Sequence, residues 1–173
     1  KMRDLKQRCE ANGLIPASIH GSSFGGNNGH ALAKDTTHKI RMIEAARELG
    51  VTRIGATGSA RGTDGGLEAI ITVLKEIAPV AEEYDVEIGL ENHQGNNLET
   101  IEDYERIFEV IDSDKVGIWL DTGHFDASGV DMDDLIDKLH SRVNHIHVKD
   151  NLKKGVKSFT RFGEGTTDNH HVI

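Results

Sequence analysis

Short apolar runs at 14–19, 52–56, 86–90, 116–120 and 143–148 alternate with longer segments whose apolar residues recur every three or four positions. The runs have strand length and the segments helix length, and each run starts about 30 residues after the last, the length of one βαβ step. Met42, Ala45, Ala46 and Leu49 fall on one helical face, as do Leu67, Ile70, Ile71, Leu74, Ile77 and Ala81. Ile101, Tyr104, Ile107, Phe108 and Ile111 repeat the pattern behind a Thr100/Asp103 capping box, and Met132, Leu135, Ile136 and Leu139 make a fourth face. Asn12-Gly13 and Leu49-Gly50 read as helix stops. Pro79 removes a helical N–H and predicts a kink or a break into two helices. A weaker run at 158–162 is a candidate sixth strand. The pattern predicts an α/β architecture on a parallel sheet.

At 173 residues the chain is expected to form a single domain with a proper core. A formal net charge of −9 repels polyanions and argues against nucleic-acid binding. Cys9, the single cysteine, excludes an internal disulfide and a cysteine-rich zinc motif. No apolar run approaches the roughly 20 residues of a membrane span, and no signal peptide is evident, so a cytoplasmic protein without a membrane partner is expected. The start at Lys1 and the helix-like beginning at 170–173 predict a chain cut at both ends. The glycine-rich loop 21–29 lacks the Gly-Lys-Ser/Thr ending and any cation of a phosphate cradle, and reads as a flexible active-site loop. Residues 62–66 read as a turn before a helix.

In parallel α/β folds the reacting groups gather at the carboxyl ends of the strands. There the chain places His20, then Glu91-Asn92-His93, then Asp121-Thr122-Gly123-His124, and finally His145 and His147 ahead of Lys149-Asp150. Singly, each has a plain structural explanation, since a carboxylate after a strand caps the next helix. Three successive strands ending in Glu, Asp and His gather like charge at one rim, which favours a divalent cation to offset it. His145 and His147 share a face opposite Ile146 and Val148, so with helices outside both imidazoles point inward. His147, nearer the carboxyl end, is the better ligand; His145, one layer lower, is either a buried hydrogen-bonded histidine or a support for the ligand.

In this order, Gly89-Leu90-Glu91-Asn92-His93, Leu120-Asp121-Thr122-Gly123-His124, His145-Ile146-His147-Val148-Lys149-Asp150 and Gly163-Glu164-Gly165 resemble the signatures of the xylose-isomerase-like TIM barrels. That superfamily holds sugar and sugar-phosphate isomerases and epimerases, inosose dehydratase and the endonuclease IV type of DNA-repair enzyme. The resemblance implies a (β/α)8 TIM barrel. A complete barrel needs about 250 residues and eight strands, so an incomplete barrel over residues 1–173 is expected, with the first and last strands missing. The resemblance also implies that Glu91, Asp121 and His147 hold one divalent cation and that His124 touches substrate. The family's fourth ligand, a Glu on the last strand, has no counterpart here, and Glu164 is kept as a substrate-side candidate.

The activity implied is a sugar or sugar-phosphate isomerase or epimerase of carbohydrate metabolism, working by proton abstraction beside a carbonyl through an enediolate that the cation stabilises. Glu91 is the candidate base and His124 the holder of a substrate hydroxyl; His20, His93, Lys149, Lys153 and Glu164 are further substrate-side candidates. The ligand types suit Mn²⁺ or Mg²⁺, with Co²⁺ or Zn²⁺ as alternatives. An inosose-dehydratase-like lyase uses the same enolate chemistry. An endonuclease IV-like phosphodiesterase is less compatible, because an Asp-x-His segment before the Gly-x-Gly is replaced by Lys157-Ser158-Phe159-Thr160-Arg161-Phe162. A non-catalytic metal- or sugar-binding module is the alternative from outside enzymology. The expected partner is a small-molecule sugar, with a second copy of the chain as a candidate homodimer contact.

Overall fold

A computed structural model of the chain describes residues 1–21, 23–25 and 29–172. The elements run α1 (Met2–Ala11), β1 (Ile19–His20), α2 (Gly29–Leu49), β2 (Arg53–Thr57), α3 (Gly66–Tyr84), β3 (Glu87–Glu91), α4 (Ile101–Phe108), β4 (Val116–Asp121), α5 (Thr122–Ala127), α6 (Met132–Leu139) and β5 (Val143–His147). The short strands β6 (Asp150–Asn151) and β7 (Phe159–Thr160) and the helix α7 (Asn169–Val172) follow. Strands β1 to β5 form one parallel sheet in chain order. Among the described helices none is long and apolar enough to cross a membrane.

Alternation divides the sheet into two chemistries. Ile54, Ala56, Ile88, Leu90, Ile118 and Leu120 turn outward into a core shared with Ile43 and Ala46 of α2, Ile70, Leu74 and Ile77 of α3, and Tyr104 and Ile107 of α4. The other face carries Gly55, Gly89, Glu91, Trp119, Asp121, His145 and His147. On β5 that phase depends on a bulge. Val143 pairs with Ile118 but His145 pairs with Trp119, leaving Asn144 as the extra residue. A regular ladder from Val143 would have sent both histidines to the opposite face.

Gly13 (φ 66°) and Gly50 (φ 82°) end α1 and α2 in the left-handed region, as their sequence context predicts. At the start of α4 the Thr100 N–H donates to Asp103 Oδ2 at 2.9 Å, the reciprocal half of the expected capping box. Residues 62–66 form the turn that leads into α3.

Three expectations are corrected. Helix α3 runs unbroken through Pro79, so of the expected kink or break the break does not occur. Pro79 lies on its exposed side, as does Lys75, whose carbonyl loses its donor, while Ile70, Ile71, Leu74, Ile77 and Ala81 hold the buried face together. The first strand is confined to Ile19 and His20 rather than 14–19, because Pro16 cannot donate to a ladder and Leu14 and Ile15 are 61% and 92% exposed. The run at 158–162 is not a sixth strand of the sheet; Phe159–Thr160 pairs antiparallel with Asp150–Asn151. The Asp150 carboxylate accepts from the N–H groups of Gly163, Gly165 and Thr167, drawing this segment into a compact loop. Of the loop expected to be flexible at 21–29, residues 22 and 26–28 lie outside the described residues. Phe24 is buried, and its N–H donates to Thr57 O.

Candidate metal centre

Glu91 closes β3, Asp121 closes β4 and His147 closes β5, so parallel pairing brings all three to one end of the sheet. One ligand atom from each lies within 4.8 Å of the others. Glu91 accepts from two imidazoles, His20 Nε2 at 2.7 Å and His147 Nδ1 at 2.8 Å. The Trp119 indole N–H, which can only donate, lies 3.0 Å from His147 Nε2. Nε2 therefore accepts, and Nδ1 faces Glu91, carrying a proton in the metal-free chain that a cation bound at Nδ1 would replace.

Asp121 does two jobs with its two oxygens. Oδ1 accepts from the His124 N–H at 3.0 Å and caps α5, the structural role that any such carboxylate invites. Oδ2 is buried, takes no part in the cap, pairs with Lys149 Nζ at 2.7 Å and lies 3.9 Å from His147 Nδ1. A buried carboxylate oxygen left over from capping and facing a carboxylate and an imidazole suits a divalent cation.

His93 and His124 stand beside this group with ring centroids 3.7 Å apart, and the edge of Phe159 meets His124 at 4.9 Å. Burial first, then His93, Lys149 and Lys157, push the His124 imidazole down to about 3, so it is neutral at physiological pH. His145 packs on Trp119 at 4.2 Å, and burial lowers its imidazole as well. Lys153 and Glu164 are exposed, and neither side chain makes a hydrogen bond or ion pair with the group among the described residues.

Several residues that hold the group were not legible as such. Asn92, paired through its amide with both backbone groups of Asp121, fixes the end of β4: Oδ1 accepts from Asp121 N at 2.6 Å and Nδ2 donates to Asp121 O at 2.9 Å. Thr122 Oγ1 does the same for Lys149, accepting from its N–H and donating to its carbonyl. Trp119 reads in sequence as one more core residue of a strand. The signal that could have found Asn92 and Thr122 is their place directly after the carboxylates of the candidate centre, Glu91 and Asp121.

A family model described as the xylose isomerase-like TIM barrel matches residues 1–173. The chain belongs to that family. Over 88 residues it is 33% identical to the inosose dehydratase of Lacticaseibacillus casei, a match covering 51% of this chain and 30% of that protein. Over 94 residues it is 29% identical to the inosose dehydratase of Mesomycoplasma hyopneumoniae (strain 7448), covering 54% and 31%. The aligned stretch is thus under a third of either relative. Among solved structures, the IolI protein with a bound zinc atom superposes with a TM-score of 0.83 at 22% identity, over 97% of this chain and 65% of that one. A D-tagatose 3-epimerase-like protein superposes at 0.80 and 23% identity, over 96% and 67%. These likenesses establish the shared fold: the five parallel strands are part of an α/β TIM-barrel architecture, and the xylose isomerase-like chain here spans about two thirds of those barrels.

Proposed function

We propose that this xylose isomerase-like chain holds a divalent cation and abstracts a proton beside the carbonyl of a polyhydroxylated small molecule, a sugar or sugar phosphate, as an isomerase or epimerase. The observation that carries the reading is the convergence of Glu91, Asp121 and His147 at the carboxyl ends of adjacent strands. A cation on these residues, Mn²⁺ or Mg²⁺ by ligand type with Co²⁺ or Zn²⁺ as alternatives, supplies the positive charge that an enediolate needs. Glu91, oriented by His20, takes the proton from carbon. Neutral His124 holds a substrate hydroxyl without adding charge, and His93 completes that wall. Lys149 stands at the centre itself, whereas Lys153 and Glu164 sit on the exposed loop beyond it. The acidic balance of the chain opposes a nucleic-acid substrate.

A lyase reading is favoured by the matched inosose dehydratases. It shares the proton abstraction and differs in the next event, loss of a hydroxyl from the neighbouring carbon. The test is NMR in D₂O with Mn²⁺ and a panel of ketoses and inososes. Deuterium should enter a carbon next to the carbonyl, and Glu91→Gln should slow this by about 100-fold or more while sugar binding persists. An alkene proton in the product assigns the lyase. Absence of exchange with every carbonyl compound sinks the reading.

A further inference from the structure

The like charge that the sequence gathers at this rim is partly offset from within the chain, by Lys149. Its Nζ lies 2.7 Å from Asp121 Oδ2, the buried oxygen that takes no part in the cap. This pairing is built from the backbone outward. The Lys149 N–H donates to Thr122 Oγ1 at 2.9 Å, and its carbonyl accepts from Thr122 Oγ1 at 3.0 Å and from Asn169 Nδ2 at 2.9 Å. The root of the side chain runs so close to Gly123 that a Cβ there would lie 2.6 Å from Lys149 Cβ. The root is therefore fixed, and only the outer stem has freedom to turn.

The ammonium sits at a boundary. Asp121 is fully buried, but the Lys149 side chain is 41% exposed, and its Nζ is already 5.2 Å from the centroid of the Phe159 ring. Swinging away from Asp121 thus leads along an aromatic face toward water, where a cation is well accommodated. An ammonium and a divalent cation cannot both occupy Oδ2 of Asp121, the oxygen not used in the cap, because at contact distance in a buried site their repulsion is strong.

We propose that Lys149 is a tethered counter-ion: it occupies the cation's place on Asp121 in the metal-free chain and swings toward Phe159 when a divalent cation binds. The inference rests on the metal reading above and adds to it a competition inside the chain. The Lys149–Asp121 pair offsets one of the two carboxylate charges of the metal-free centre and lowers its apparent affinity for the ion. Loading the centre then presents an ammonium at its mouth.

The test uses Mn²⁺ as the probe and two readouts other than turnover. In calorimetric titration, Lys149→Met should bind Mn²⁺ about tenfold more tightly than the unmodified chain, because the competitor for Asp121 is gone. In acetylation by an N-hydroxysuccinimide ester followed by mass spectrometry, saturating Mn²⁺ should raise the labelling rate of Lys149 about threefold or more, with Lys153 and Lys154 unchanged as internal controls. In Asp121→Asn, Lys149 should label fast with or without Mn²⁺. Mn²⁺ binding that Asp121→Ala abolishes, combined with Lys149 labelling that Mn²⁺ does not move, overturns the counter-ion and leaves the metal centre standing. Tighter binding by Lys149→Met without a labelling change means repulsion at a distance and overturns it equally. Absence of Mn²⁺ binding in both forms overturns the metal reading and this inference together.

Discussion

Trp119 shows how single residues shape the centre from below. It is the only tryptophan of the chain, its indole N–H holds His147, and its ring fills space that two neighbouring strands leave open. A Cβ on Gly55 would lie 2.0 Å from the Trp119 ring, and one on Gly89 would lie 2.7 Å from it. These glycines serve close approach rather than an unusual backbone angle. Gly55→Ala should therefore cost about 1–3 kcal/mol, read from urea denaturation, because the ring must leave its rotamer or push the strand. Tryptophan emission should shift in the same variant. An unchanged midpoint and spectrum would show that the ring has slack which the packing does not suggest. In sequence, a glycine inside a strand and a tryptophan two strands away carry no mark of their contact.

At the scale of elements, helix α3 and strand β5 illustrate opposite limits of pattern reading. The apolar period of α3 is strong enough to carry the helix through Pro79, so the local rule about proline yields to tertiary burial of Ile77, Ala78 and Ala81. The lost hydrogen bond remains a cost on the exposed side. Pro79→Ala should restore it and stabilise the chain by about 1–2 kcal/mol in thermal or urea unfolding, and a loss of stability would mean that the proline relieves some other strain. In β5 the alternation of His145 and His147 was readable, but the bulge at Asn144 was not. Asn144 Nδ2 reaches the Ile88 carbonyl two strands away, so what decides the bulge is a partner 56 residues distant.

For the whole molecule, acid sensitivity follows from the buried imidazoles. His124 is driven by burial, His93 and the nearby lysines down to about 3, against an ordinary value of 6.5. Between those limits the unfolded chain takes up a proton that the native chain refuses, so stability falls as pH is lowered from about 6.5 toward 3. His145, lowered chiefly by burial, contributes in the same direction. Asp150, whose carboxyl is lowered first by the Gly165 N–H and then, against its desolvation, by those of Gly163, Thr167 and Asn151, adds its loss only below the ordinary aspartate range. Urea midpoints measured from pH 7 to pH 4 should fall, and His124→Gln should flatten that slope without abolishing it. An identical slope in the variant would show that His124 does not set it.

What the chain determined by itself is what is periodic and local. Repeats near 2 and 3.6 residues, glycine stops and a capping carboxylate mark the order of strands and helices, and the parallel class follows from their alternation. The residue types at the strand ends were legible for the same reason, since in a parallel sheet every carboxyl end lies on one side. Tertiary structure alone decided how those types meet. The distance between Glu91, Asp121 and His147 depends on register between strands 26 to 30 residues apart, on one bulge, and on the amide of Asn92 gripping Asp121. The departures at 14–18, Pro79 and 158–162 have the same origin. A segment's own preference is worth a few kcal/mol at most, and partners far away in sequence, by pairing or burying it, decide which state it takes.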